Sequence, residues 1–244
     1  MTVPQTRTPG LSGSLSRDDG RDDPDAREGR MKDTRSFNDM ARTIFAKAYP
    51  AIAAQIVGET GISKGVCLDI GCGCGHLGIA MAEHGAFDMT LLDPSEKMRT
   101  QAIENVTEAG LSKRVQMIQG CAEAIPLPDN SVDLAVSRGS VFFWKDQAQA
   151  FREIYRVLKP LGVAYIGGGF GSAELRDAVV QKMKERNQGK ESWRETMESR
   201  IGPESAVRFR QTLEVSGVPG FRVEQSDDKG LWIIFKKEQA HGTV

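Results

Sequence analysis

The sequence has almost no excess of charge of one sign, no long hydrophobic run and few cysteines. Its 244 residues carry a formal net charge of −1, so no overall electrostatic field draws the protein to nucleic acid or to an anionic membrane. The longest weakly charged apolar run, residues 70–82, is too short to span a bilayer and is interrupted by glycine. These absences disfavour a dedicated nucleic-acid binder and a membrane protein, and leave only a local basic patch open.

The cysteines lack the spacing of a small secreted disulfide framework, and the first residues contain no apolar signal core. We therefore predict a cytoplasmic protein in a reducing compartment. Residues 1–36 contain almost no large apolar side chains and are rich in Pro, Gly, Ser and mixed charges. Because such a segment cannot bury enough surface to offset its ordering entropy, we predict a disordered tail. Translation that begins at Met31 is an alternative.

From residue 37 onward, short apolar runs alternate with amphipathic helical patterns. Strands are predicted at 65–70, 87–93, 114–119, 131–138 and 162–169, and a hairpin with its turn at 227–230 closes the chain. Such alternation predicts an α/β fold with a mostly parallel sheet and helices on both faces. We expect one domain over 37–244, with polar helices inserted at 172–216.

Two of the predicted helices contain specific sequence features, a proline in one and an apolar face in the other. The opening helix is expected to be interrupted at Pro50, because proline lacks the backbone N–H that a helix interior needs. The helix that follows Pro94 has Met98, Ala102, Ile103 and Val106 at helical spacing, which predicts that these side chains share a buried face.

A glycine-rich turn, CLDIGCGCGHLG (67–78), follows the first predicted strand. Ligands of open α/β sheets bind beyond the carboxyl ends of the strands, where glycine lets a ligand approach the backbone. Asp93 ends the second predicted strand, 20 residues after Gly73, in the position where a carboxylate accepts hydrogen bonds from both ribose hydroxyls. Asp69 and Asp93 together predict a nucleoside site.

The same turn allows two kinds of nucleoside. Gly73, Gly75 and Gly78 match G-x-G-x-x-G, so an NAD(P)-dependent oxidoreductase is an alternative. A dinucleotide site needs a helix N-terminus that is free to hold a pyrophosphate. Here Asp69 lies two residues before the first glycine of the turn, Gly71. Fixed negative charge at that point favours a ligand that carries a cationic amino group.

Four segments resemble, in order, the motifs of class I S-adenosylmethionine-dependent methyltransferases. They are LDIGCGCGHLG, LLDPSEKM, GCAEAIPLPDNSVDLAVSRGSVFFW and AFREIYRVLKPLGVAYI. The resemblance implies a Rossmann-like three-layer sandwich with a seven-stranded, mostly parallel sheet whose last strand is antiparallel. It also implies S-adenosyl-L-methionine as cofactor and methyl transfer by in-line displacement to a small-molecule acceptor. A methyltransferase-like module that binds without turnover stays an alternative.

The resemblance also implies site residues, position by position. It assigns the methionine end of the cofactor to Asp69, Gly71, Cys72, Gly73 and Gly75, the ribose side to Asp93 and Pro94, the adenine to Ala122 and Glu123, and the floor below the sulfonium to Ser137, Arg138 and Gly139. Phe45 and Tyr49 would form a lid, and Tyr49, Phe142 and Trp144 are candidates for the acceptor pocket. No catalytic dyad is apparent.

The sequence departs from the family pattern at three places. The fourth predicted strand ends in SRGSVFFW and not in an Asn/Asp-Pro-Pro-Tyr type of motif, which argues against methylation of an exocyclic or side-chain amide nitrogen by that arrangement. Cys121 stands where the family often has an aspartate that binds the adenine amino group, which weakens the adenine assignment. The segment KPLG (159–162) replaces the more common KPGG, which we expect to change only a turn.

Several residues keep two interpretations. Cys72, Cys74 and His76 form C-x-C-x-H, but a zinc site usually needs four ligands at wider spacing, so we favour packing beside the cofactor and predict no metal. Arg138 either binds an anionic acceptor or pairs with an acid of the opening helix. The aromatic run 142–144 either packs the sheet or forms a wall of the acceptor pocket. The glycines of 167–171 either leave room for the acceptor or make a turn.

Overall fold

The structure is a computed structural model that describes residues 24–188 and 192–239. Strands and helices alternate along most of this part of the chain. The strands are β1 (Lys64–Ile70), β2 (Ala86–Asp93), β3 (Val115–Gln119), β4 (Val132–Arg138), β5 (Leu158–Gly168), β6 (Arg222–Ser226) and β7 (Gly230–Lys236). The helices are α1 (Pro24–Thr43), α2 (Ala48–Thr60), α3 (His76–His84), α4 (Glu96–Glu108), α5 (Gln147–Val157), α6 (Ala173–Arg186), α7 (Ser192–Ile201) and α8 (Pro203–Ser216).

The seven strands form one sheet in the order β3-β2-β1-β4-β5-β7-β6. Strands β1 to β5 are parallel, and β7 pairs antiparallel with both β5 and β6. The chain fills one half of the sheet outward from β1 and then returns to place β4 on the other side of β1. The predicted Rossmann-like α/β fold is therefore confirmed, and its switch point lies between β1 and β4.

Alternate side chains of the strands supply two hydrophobic cores, one on each face of the sheet. In β7, Trp232 and Ile234 face a core with Ile52 of α2 and Met81 of α3, whereas the residues between them face α5 and α8. Successive side chains of a strand point to opposite faces of the sheet. Because helices cover both faces of this sheet, the strands are apolar throughout.

The N-terminal helix differs from the sequence prediction. Residues 1–23 lie outside the described residues, whereas residues 24–36, within the predicted tail, belong to α1. Thr34, Asn38 and Ala41 are buried on the core side of α1, and this packing favours the helix over its second half. The helical break falls at residues 44–47 instead of at Pro50, because Pro50 occupies the first turn of α2, where no backbone N–H is needed.

The buried face of α4 and the backbone at the start of β5 also differ from the sequence prediction. Ile103 is 53% exposed, and the buried face of α4 includes the polar Asn105 instead. In the KPLG segment, Leu161 adopts a left-handed backbone conformation with φ of 68°, within the irregular start of β5. A left-handed conformation costs a non-glycine residue about 1–2 kcal/mol, which accounts for the family's usual glycine at this position.

Candidate functional site

The residues predicted to bind a nucleoside gather at the carboxyl edge of the sheet, around the switch point. Asp69 is the penultimate residue of β1 and Asp93 is the last residue of β2. Ser137 and Arg138 end β4, on the other side of β1. The glycine turn joins β1 to α3, and Ala122 with Glu123 follows β3. The topology therefore brings together residues from four separate segments of the chain.

Glycine is needed at two positions of the turn for different structural reasons. Gly71 and Gly73 both have positive φ angles, of 65° and 55°. A Cβ atom at Gly71 would overlap the Ser140 side chain, so glycine here permits close packing of the turn against the residues after β4. At Gly73 the only side chain near the Cβ position is Phe37 of α1, at 3.3 Å. The backbone at Gly73 is thus open to a ligand except where α1 covers it.

Asp93 connects the glycine turn to the start of α4. Its Oδ2 accepts a hydrogen bond from the Gly73 N–H at 2.9 Å, and its Oδ1 accepts one from the Ser95 N–H at 2.9 Å. A carboxylate oxygen has capacity for more than one hydrogen bond, so both oxygens can also accept from the hydroxyls of a ribose. Asp93 fits the predicted ribose position and in addition fixes the shape of the turn.

Asp69 is an acid buried at the base of the turn. Its carboxylate is 1% exposed and accepts a hydrogen bond from the Gly78 N–H at 3.0 Å. Burial, together with the neighbouring charge of Asp93, raises the pKa of Asp69 to about 7, although the hydrogen bond from the Gly78 N–H acts in the opposite direction. A cationic ligand group nearby would stabilise the ionised form, which makes this carboxylate suitable for the amino group of a methionine moiety.

His76 and the cysteines of the turn contact different neighbours and form no cluster. His76 Nε2 lies 2.8 Å from Asn38 Oδ1, and Asn105 donates to the same oxygen at 2.9 Å. Burial lowers the pKa of His76 to about 4, so the ring is neutral at neutral pH. Cys72 lies against the Gly73 carbonyl and Cys74 against Met98. In the described part of the chain, no three His, Cys, Asp or Glu side chains are arranged to hold a metal ion.

The predicted adenine and floor residues are held in polar networks. Glu123 Oε1 accepts from the Lys145 N–H at 2.7 Å, which braces the loop after β3 against the segment after β4. Ser137 is fully buried, and its hydroxyl lies 2.6 Å from that of Ser140. Ser140 Oγ in turn donates to the Ile70 carbonyl at 2.8 Å. These contacts fix the backbone around the switch point, and the adenine role of Ala122 and Glu123 stays a prediction.

Arg138 is surrounded by aromatic rings. Its guanidinium carbon lies 4.9 Å from the ring centroid of Phe45, 5.2 Å from that of Tyr49 and 5.8 Å from that of Phe170. Its Nε donates to the Gly169 carbonyl at 3.0 Å. The two predicted lid residues therefore contact the end of β4, and Tyr49 also stacks on His76 with ring centroids 5.3 Å apart.

A cavity of about 160 Å³ begins at Arg138 and extends under α7, and we call it the β4 cavity. Its lining consists of Phe45, Arg138, Gly139, Phe142, Gly168, Gly169, Phe170, Trp193, Thr196, Met197, Arg200 and Ile201. Two larger clefts, of about 560 and 570 Å³, lie along α8 and between α6 and α7, and neither is lined by Arg138 or Gly139 at the end of β4. Their size is less informative than position, because ligands of this fold bind at the switch point.

The acceptor-pocket candidates have different positions relative to this cavity. Phe142 lines it, and Tyr49 touches it only through Arg138. Trp144 is not among its lining residues: the indole N–H donates to Ser140 Oγ at 3.2 Å and the ring packs edge-on against Phe151. The glycines of 167–171 serve packing in part, since a Cβ at Gly169 would overlap the Lys229 carbonyl.

Sequence reasoning missed the contributions of α1 and α7. Phe37 covers the glycine turn, whereas Trp193, Met197 and Arg200 line the β4 cavity. The charge pattern of residues 182–195 predicts a helix face exposed to solvent, and Trp193 is the residue of this stretch whose large aromatic side chain suggests burial. An aromatic side chain in an otherwise polar helix is a signal of burial.

Comparisons with known proteins identify the family and agree with the fold. A family model described as a methyltransferase domain matches residues 68–166. The crystal structure of an S-adenosyl-L-methionine-dependent methyltransferase from Methanococcus maripaludis is 41% identical, covers 88% of this chain and 95% of its own, and has a TM-score of 0.81. A SAM-dependent methyltransferase from Aquifex aeolicus, 22% identical with a TM-score of 0.57 and covering 84% and 97%, shares the fold.

Two curated relatives match over shorter segments. The chloroplastic 2-methyl-6-phytyl-1,4-hydroquinone methyltransferase 1 of Oryza sativa subsp. japonica is 37% identical over 41% of this chain and 30% of its own length. Demethylmenaquinone methyltransferase of Listeria monocytogenes is 36% identical over 52% of this chain and 54% of its own. The matches thus span about half or less of these relatives. No comparison supports the oxidoreductase or the non-catalytic alternative. The chain belongs to the class I S-adenosylmethionine-dependent methyltransferase family, whose cofactor is S-adenosyl-L-methionine.

Proposed function

We propose that this protein transfers the methyl group of S-adenosylmethionine to a small-molecule acceptor held in the β4 cavity. The observation that carries the proposal is the position of this cavity. It opens at Arg138 and Gly139, which the family resemblance places below the sulfonium. An acceptor in the cavity would therefore lie next to the transferred group.

The residues of the glycine turn fit the cofactor. The open backbone at Gly73, the buried carboxylate of Asp69 and the two oxygens of Asp93 offer a surface for the methionine, its amino group and the ribose. The bound cofactor supplies an already activated methyl group, so the protein needs chiefly to align the acceptor atom. Alignment of this kind is worth up to about 7–11 kcal/mol of the barrier in favourable cases.

The acceptor that fits best is a compact aromatic molecule. Phe45, Phe142, Phe170 and Trp193 line the cavity, and aromatic side chains favour stacked or edge-on contacts with an aromatic ring. The two curated relatives are named for a hydroquinone and for demethylmenaquinone, which are both ring compounds. We therefore include in the proposal that the acceptor of this protein contains an aromatic ring.

The proposal includes a location in the cytoplasm, which the four free cysteines support. In the residues that the structure describes, no helix combines the length and apolar character needed to cross a membrane.

Isothermal titration with S-adenosylmethionine, S-adenosylhomocysteine and NAD⁺ tests the cofactor. We expect the first two to bind and NAD⁺ to show no binding. Transfer of labelled methyl from S-adenosylmethionine to a panel of hydroquinones and phenols then tests the reaction. Binding of NAD⁺ in place of S-adenosylmethionine would refute the proposal, and so would bound cofactor without label transfer to any member of a broad acceptor panel.

A further inference from the structure

The β4 cavity carries positive charge that no acidic side chain neutralises. Two of its lining residues, Arg138 and Arg200, are cationic, and none of the described lining residues is an Asp or a Glu. Arg200 comes from α7 and Arg138 from β4, so two separate elements each contribute a cationic residue to the lining, and Arg200 also lines the cleft along α8. Burial lowers the pKa of Arg138, as expected for a charge removed from water.

Neither arginine has an ionic partner among the residues described. No carboxylate in that part of the chain lies within 4.0 Å of either guanidinium, whereas Arg42, Arg156 and Arg194 all form such pairs. The sequence left open an ion pair between Arg138 and an acid of the opening helix, and the described residues of α1 and α2 do not form that pair.

Aromatic rings replace acids around both cations. Arg138 lies among three rings, and the Arg200 guanidinium lies 4.5 Å from the ring centroid of Phe143. Cation–π contacts hold a guanidinium in place without cancelling its charge, so its remaining N–H groups can still bind an anion. A buried cation without an anionic partner is costly, and a bound anion would lower that cost.

We propose that the acceptor carries an anionic group, a carboxylate or a phenolate, which Arg138 and Arg200 bind in the β4 cavity while the aromatic walls hold its ring. This inference rests on the proposed function and adds the charge class of the acceptor. Arg138 and Arg200 are then residues that determine specificity, because a neutral analogue would leave two cations unpaired. The size is suitable, since an apolar cavity of about 150 Å³ is known to bind benzene.

Benzoate and benzamide are matched probes of this cavity, since they share ring and shape and differ in charge. We expect the full-length protein to bind benzoate at least about tenfold more tightly than benzamide in isothermal titration, because hydrogen bonds to charged groups are the stronger ones. Titrations are made with and without saturating S-adenosylhomocysteine. Equal affinity for the two probes in the wild-type protein would overturn the inference.

Variants assign the preference to the two arginines. We expect Arg200→Gln, at the half-buried end of α7, to reduce the preference for benzoate to about threefold or less, and Arg138→Gln to reduce it further. Arg152→Gln removes the same charge from the exposed face of α5 and is expected to keep the wild-type preference. Thermal unfolding checks that Arg200→Gln is folded. A wild-type preference in folded Arg200→Gln would contradict the proposal.

The two titrations separate this inference from the function on which it rests. Benzoate preference without binding of S-adenosylhomocysteine would support the anion site and refute the methyltransferase proposal. Binding of S-adenosylhomocysteine with no preference for benzoate would support the cofactor part of the proposed function and refute the anion site.

Discussion

Asp93 combines two tasks that a substitution can separate. Asp93→Asn keeps the shape of the side chain but has only one oxygen to accept the Gly73 or Ser95 N–H and no charge to bind ribose hydroxyls. We expect the affinity for S-adenosylmethionine to fall about 10- to 100-fold, as for the loss of a charged hydrogen bond. Isothermal titration measures this. Asp88→Asn, on the exposed side of β2, is the control, and equal affinities in the two variants would contradict the ribose role.

Asp69 makes the free energy of unfolding depend on pH. Because burial raises the pKa of Asp69 to about 7, well above the ordinary value of an aspartate, the folded protein binds the proton more tightly than the unfolded chain does. This contribution to stability is complete below pH 4 and is lost as the pH rises to 7, with a slope of up to about 1.4 kcal/mol per pH unit. The unfolding free energy of the wild-type protein minus that of Asp69→Asn should therefore decrease between pH 5 and 7.

Chemical denaturation of both proteins at several pH values measures that difference. It should level off about one unit above pH 7, where Asp69 is largely ionised in both the folded and the unfolded state. A difference that is constant from pH 5 to 8 would show that Asp69 does not titrate in this range.

At the level of elements, α1 is attached to the cofactor turn by a buried polar contact. Asn38→Ala removes the oxygen that lies beside His76 and accepts from Asn105, and the unpaired groups cost about 1–3 kcal/mol. We expect hydrogen exchange in residues 34–43 to become faster, together with dissociation of S-adenosylhomocysteine, because α1 also covers Gly73 through Phe37.

Asp39→Ala is the matched control, because Asp39 is the exposed neighbour on the same helix. Mass spectrometry of exchange and stopped-flow displacement of the ligand provide the two measurements. Unchanged exchange in Asn38→Ala would show that α1 is held by other contacts, such as the Arg42–Glu108 ion pair.

The sequence predicts the sheet elements well, because strands buried on both faces form short apolar runs between glycines and helices. The extension of α1 before residue 37 was missed, because the buried side chains of α1 include Thr34, Asn38 and Ala41, which are small or polar and do not form an apolar stripe. Asn105 was missed for a similar reason: its burial follows from partners 67 and 31 residues away in the chain. Likewise, Arg200 and Arg138 line the same cavity only as a result of tertiary structure.

For the whole molecule, the cofactor should act as a stabilising ligand. Binding to the folded state alone contributes about 2.7 kcal/mol when the ligand concentration is 100 times Kd. For a chain of this size that corresponds to a rise in Tm of about 5–10 °C. We expect S-adenosylhomocysteine to produce this shift in a thermal unfolding experiment and NAD⁺ to produce none. A shift with NAD⁺ alone would argue against the cofactor assignment.

The family model ends at residue 166, before the helices α6, α7 and α8 begin. The strands and turns proposed to surround the donor lie inside the matched segment, and so do Arg138 and Phe142 of the β4 cavity, whereas Trp193, Met197 and Arg200 lie outside it. Under the proposed function, one wall of the acceptor site is therefore encoded apart from the donor site. Recombination that exchanges only the codons for residues 172–216 would then rebuild that wall while preserving the source of methyl groups.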